Sequence, residues 1–128
     1  MVKDSVYTCM ELYNKYKKIE RELEEKIQRI SGLGLNEFYL LYHLNDHPQN
    51  KMRLQEATQL VQLRQSAMSR LIMRLESFDE PIVRKSICND DKRGIYVQLT
   101  EPGKEQYQLI IDNVQDLLKV FLEETSKL

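Results

Sequence analysis

The sequence predicts a mainly α-helical (α+β) domain in which two short strands precede a long last helix. Three observations point there. Apolar side chains recur three and four residues apart along most of the chain, which is the period of amphipathic helices. Between residues 82 and 99 that period gives way to two runs rich in β-branched residues around the turn sequence Asn89-Asp90-Asp91-Lys92-Arg93-Gly94. A length of 128 residues suffices for one core and is short for two.

A first helix is expected over about residues 4–30, where Tyr13, Tyr16, Ile19, Leu23, Ile27 and Ile30 share a face among dense Lys and Glu. Ser31-Gly32-Leu33-Gly34 breaks it, glycine being a poor helix former. Asn36 is placed to cap a second helix, NEFYLLYHLNDH, which Pro48 stops. That helix is apolar nearly all round, so it belongs at the centre. After the polar link PQNKM, Leu54, Ala57 and Val61 mark a short third helix, and Leu63 marks the turn into a fourth, RQSAMSRLIMRLESF.

On the fourth helix Ala67, Met68, Leu71, Ile72 and Leu75 form one stripe. Arg64, Gln65, Ser66, Ser69, Arg70, Met73 and Arg74 fall off it, and no acid interrupts residues 64–75. FDEP ends the helix. Two strands follow, Ile82 to Ile87 and Ile95 to Leu99, with Ile95, Val97 and Leu99 on the side to be buried and Tyr96, Gln98 and Thr100 on the other. Thr100 is suited to cap the last helix, with Pro102 near its first position, where a missing N–H costs nothing. This helix is expected to reach about residue 125. It carries a wide stripe of Leu109, Ile110, Val114, Leu117, Leu118, Phe121 and Leu122, more than so small a chain is expected to cover alone.

Charge is unevenly placed. The formal net charge is −1, yet residues 51–98 hold 9 Lys and Arg against 6 Asp and Glu, while residues 99–128 hold 3 against 6. A basic middle between acidic ends suggests an anionic partner for the middle alone. No apolar run approaches the length that spans a bilayer, and MVKDSVYTCM has no signal-peptide core, so the expected location is cytoplasmic. Cys9 and Cys88 match no disulfide framework or zinc pair. Glycine-rich phosphate loops, nucleophile elbows and framed carboxylate pairs are absent, so no enzyme and no cofactor is expected.

The element order is that of a winged helix-turn-helix domain, over about 35–100, with helical extensions at about 4–30 and 101–125. LVQLRQSAMSRLIMRLE, then PIVRK, then NDDKRGIYVQLTEPG resembles the MarR family of bacterial transcription regulators. The small size and LNEFYLLYHL make the SarA-like branch the most similar. The resemblance implies a single domain that binds double-stranded DNA as a homodimer, on pseudo-palindromic sites, with the recognition helix in the major groove and the wing in the minor groove.

Arg64, Gln65, Ser66, Ser69 and Arg70 are then the expected contacts of the recognition helix, since Arg and Gln can each bond a base bidentately and serines can hold phosphate. Arg74, near the helix end, suits a phosphate. Arg84, Lys85, Lys92 and Arg93 form a basic group on the hairpin. Carried over from the family's D-x-R pattern, Arg93 enters the minor groove and Asp91 supports the wing, while Lys92 neighbours a phosphate. Leu109, Ile110, Val114, Leu117, Leu118 and Phe121 are the expected dimer contacts.

Bland readings stand beside these. The hairpin tip is also an ordinary solvated turn, and arginines on a surface helix also merely solubilise. His43 and His47, four apart with Asp46 nearby, fit a metal or the favourable C-terminal dipole of a helix. Related regulators use a thiol in the region of Cys9 as a redox sensor; a small buried thiol is the commoner fate, and Cys88 at the wing edge is a weaker candidate. A winged helix can instead pair with another regulator protein through the same basic face. A small molecule or oxidant that releases DNA is a further expectation.

Overall fold

The computed structural model describes residues 4–87 and 94–128. Helix α1, Ser5–Ser31, begins where the Asp4 carboxylate accepts from the Tyr7 N–H at 2.7 Å, satisfying one of the donors that a helix start leaves open. It ends at Gly32, whose φ of 74° lets its N–H return to the Gln28 carbonyl. Ile19, Leu23 and Ile27 are its buried face.

Helix α2, Leu35–Asp46, starts two positions earlier than Asn36 predicts. Gly34 is the cap, and Glu37 reaches back to accept the Gly34 N–H at 2.7 Å. Asn36 sits exposed inside the first turn. An acid three residues into the helix does the work expected of the amide side chain. Phe38, Leu40, Leu41 and Leu44 are buried, which puts α2 at the centre as its all-round apolarity requires.

A 3₁₀ turn at Pro48–Asn50 leads into strand β1, Lys51–Arg53. This strand begins in the stretch read from sequence as a polar link and runs one residue past it. Only Met52 of its three residues is buried, and a strand that short shows no readable alternation. Helix α3, Leu54–Val61, ends at Gln62 in the left-handed region, and helix α4, Gln65–Glu76, follows after two more residues. Strands β2, Val83–Ile87, and β3, Ile95–Leu99, complete an antiparallel sheet of order β1-β3-β2. Lys51 stands opposite Gln98, Arg53 opposite Tyr96, Arg84 opposite Gln98 and Ser86 opposite Tyr96.

Helix α5, Glu101–Thr125, is capped by Thr100. It packs along α1 in the opposite direction: Tyr16 meets the Phe121 ring edge-on at 6.4 Å between centroids, and Lys15 lies 3.8 Å from Glu124. One core joins all layers, with Leu23 and Ile27 of α1, the α2 leucines, Met68 and Ile72 of α4, Val97 of β3 and Ile110 of α5 in a single cluster.

Two expectations change. Ile110 and Val114 are fully buried within the one chain, because α1 covers that side of α5; they are core, and of the stripe Leu109 and Leu122 stay exposed. Ile95 is 43% exposed, unlike Val97 and Leu99. Its rung with Ile87 is the last described one toward the hairpin tip, beyond the cover of the helices.

Candidate nucleic-acid interface

Helix α4 divides its residues as the stripe predicts. Met68, Ile72 and Leu75 are buried, whereas Arg64, Gln65, Ser66, Ser69 and Arg70 are exposed. Arg64 is the N-cap and makes no side-chain capping bond. The positive end of the helix is therefore left without an oxygen ligand from its own cap, and it stands beside a guanidinium. Such an end favours an anion.

The first turns of α4 open with α3 onto a cleft of about 510 Å³. Gln65 and Ser69 line it from α4, and Gln55 and Gln59 from α3. Arg53, at the N-cap of α3, and Ile95 close it on the sheet side. Arg53, Gln55 and Gln59 escape a reading of the recognition helix alone. The signal for Gln55 and Gln59 was available, since both fall off the Leu54, Ala57, Val61 stripe and are four apart, one helical turn.

The basic residues around the cleft do not all face it. Arg74 is engaged within the chain while staying half exposed: its guanidinium donates to the Glu37 carboxylate and, at 2.8 Å, to the Gly32 carbonyl, and it lies over the Phe78 ring. It fastens α4 to the turn between α1 and α2, a structural role that stands beside the phosphate contact expected of it. Lys85 reaches Glu76 at 3.9 Å, and its backbone N–H points at the same carboxylate. Arg84 is exposed on the opposite face of β2. Cys88, Asp91, Lys92 and Arg93 lie outside the described residues.

The remaining candidates separate clearly. His47 is engaged at both ring nitrogens, Nδ1 lying 3.0 Å from the His43 carbonyl oxygen and Nε2 3.2 Å from Glu56. It ties the end of α2 to α3. His43 packs edge-on against Tyr42, and among the described residues no group of three His, Cys, Asp or Glu is placed to hold a metal. Cys9 is exposed on α1, not a buried thiol.

A second chamber, of about 440 Å³, lies between α1, α2 and α5, with Tyr16, Tyr39, Tyr107 and Phe121 among its walls. Burial, reinforced by the Tyr16 hydroxyl, pushes the Tyr39 phenol well above its ordinary value of 10.0. Burial followed by Tyr42 and Asp46 raises Tyr107 as well.

No helix among the described residues is long and apolar enough to cross a membrane. In sequence, no family model and no curated protein matches the chain. In structure it is similar to AbsC, a MarR family transcriptional regulator of Streptomyces coelicolor, at 21% identity and a TM-score of 0.81, covering 97% of this chain and 83% of that one. Sco3205, a MarR family transcriptional regulator of the same organism solved in complex with DNA, gives 22% identity and 0.80, over 97% and 78%. Wild-type apo MarR of E. coli gives 19% and 0.80, over 97% and 86%. At these identities the likeness establishes the fold: the chain has the winged helix architecture of MarR family regulators, terminal helices included.

Proposed function

We propose that this chain is a DNA-binding transcription regulator of the MarR type, with the SarA-like branch suggested by sequence alone. The observation that carries the reading is the acid-free, donor-rich face of α4, which shares one cleft with the glutamines of α3. Arg64, Gln65, Ser69 and Arg70 read or grip the major groove, and Arg93, supported by Asp91, enters the minor groove beside it. A homodimer presents two such faces to a pseudo-palindromic duplex. The solved DNA complex of Sco3205, which has the same fold, supports this assignment.

The test is a mobility-shift titration against salt on a duplex selected from a random pool. Log affinity is expected to fall linearly with log salt, with a slope near −0.9 for each phosphate engaged. Gln65→Ala is expected to relax base preference at one position, by about 1–3 kcal/mol. Arg93→Ala is expected to weaken most sequences together. A chain that binds no duplex at low salt, yet captures an acidic protein, would replace this reading with that of a protein-pairing module. The same titration on peroxide-treated protein and on Cys9→Ser decides whether an oxidant releases DNA through that thiol; equal behaviour of the two excludes it. The aromatic chamber beside α2 suits a small apolar effector, and an unchanged DNA affinity across a panel of such compounds would remove that role.

A further inference from the structure

The outer face of the sheet is a second basic surface. On β3, Val97 and Leu99 are buried, so Tyr96 and Gln98 point away from the core. Strand pairing fixes their neighbours. Gln98 stands between Lys51 and Arg84, and Tyr96 between Arg53 and Ser86. Directly paired residues share a face, which places Lys51, Arg53 and Arg84 together on one plane about 10 Å across, two strand spacings.

Tyr96 is the plate at its centre. The Lys51 Nζ lies 5.1 Å and the Arg53 guanidinium carbon 6.0 Å from its ring centroid, so one ring steadies two cations. The three strands contain no Asp or Glu. Lys85 takes no part, being one residue out of phase and directed at Glu76. Arg53 also lines the cleft between α3 and α4. The basic plane thus runs on from the cleft around the edge of the sheet, and that continuity selects its occupant.

We propose that this face is a clamp for duplex DNA beyond the stretch that α4 reads: Lys51, Arg53 and Arg84 hold the phosphate backbone of the flanking helix, with Tyr96 bracing the first two. The inference rests on the duplex-binding function proposed above. Contacts of this kind position the duplex and carry no base preference, so they lengthen the footprint without altering the recognised sequence.

The experiment uses the full chain and two duplexes with the same selected site, one ending at the site and one extended by about one helical turn, 10 base pairs, on each side. Wild type is expected to bind the long duplex about tenfold more tightly. Lys51→Gln with Arg84→Gln, which leaves only Arg53 of the three cations, is expected to lose most of the length preference, and to lose about two phosphates per protomer from the salt slope on the long duplex only. Lys85→Gln is expected to keep the length preference. Gln65→Ala is expected to weaken both duplexes and keep it too. Wild type without a length preference, a double variant that retains it, or a Lys85→Gln that loses as much would each overturn the clamp while leaving duplex binding in place. A wild type that binds neither duplex at low salt strikes the DNA-binding function itself.

Discussion

Glu37 is buried at 7% exposure, and its carboxylate is reached from two different elements. One oxygen accepts from the Gly34 N–H and from Arg74; the other is buried with no hydrogen-bond partner. Removing one member of a fully buried ion pair costs about 3–5 kcal/mol, because the remaining charge is left uncompensated. The Arg74 side chain is half exposed, so water screens part of that loss. Arg74→Ala is therefore expected to destabilise the fold by about 2 kcal/mol, a fall in Tm of roughly 6–10 °C for a chain of this size. Adding Glu37→Gln should return part of it, since a neutral amide is cheaper to bury. An unshifted melt for Arg74→Ala would show that the pair contributes nothing. That the sequence does not show these bonds of Arg74 has a physical cause: helical period says which residues leave the core, not which of them meet a turn 42 positions earlier.

The start of α5 shows an element fixed by backbone proximity. The Thr100 hydroxyl accepts from the Gly103 N–H at 3.0 Å and is in reach of the Pro81 and Ile82 carbonyls, while the Thr100 N–H donates to Ile82 at 3.1 Å. These bonds draw α5 against the strand entry so tightly that a Cβ on Gly103 would stand 2.1 Å from the Ile82 oxygen and 2.8 Å from a Leu99 methyl. Ala is favoured over Gly in a helix by about 1 kcal/mol. Contact with a backbone oxygen cannot be relieved by a rotamer change, and overpacking of this kind costs about 1–3 kcal/mol or more. Gly103→Ala is thus expected to lower the urea midpoint; a raised midpoint would mean that α5 slides freely on the sheet. The Thr100 cap and Pro102 were legible in sequence because capping chemistry is local. Strand β1 was not, because three residues owe their extended form to pairing with β3, a partner more than 40 positions away. The Gly34 cap was missed for a related reason: the bond that closes the turn comes from Glu37, and Asn36 only looked the part.

At the scale of the molecule, the order of elements was readable because each has its own period or punctuation, whereas the division of the α5 stripe between core and partner depended on where α1 lies. With Ile110 and Val114 sealed beneath α1, the apolar surface that remains among the described residues of these two helices includes Leu109, Val120 and Leu122 on α5 and Val6, Met10, Leu12 and Tyr13 on the first turns of α1. Because the two helices run in opposite directions and meet near Lys15 and Glu124, most of these residues gather at one end. Apolar surface concentrated in this way marks an interaction site, and a self-complementary one gives a two-fold dimer. The purified chain is accordingly expected to sediment at twice its own mass at micromolar concentration. Val6→Glu with Leu122→Glu, two sites exposed at 72% and 63%, is expected to sediment as a folded monomer with a nearly unchanged helical spectrum. Its affinity for a two-half-site duplex should fall by about 10²–10⁴, the gain that linkage of two binding faces provides, while binding to a single half-site stays the same. Ile110→Ala should instead lower stability in the dimer, with a cavity cost of about 2–5 kcal/mol. A wild type that sediments as a monomer would remove the dimer, and with it the expectation of a palindromic site.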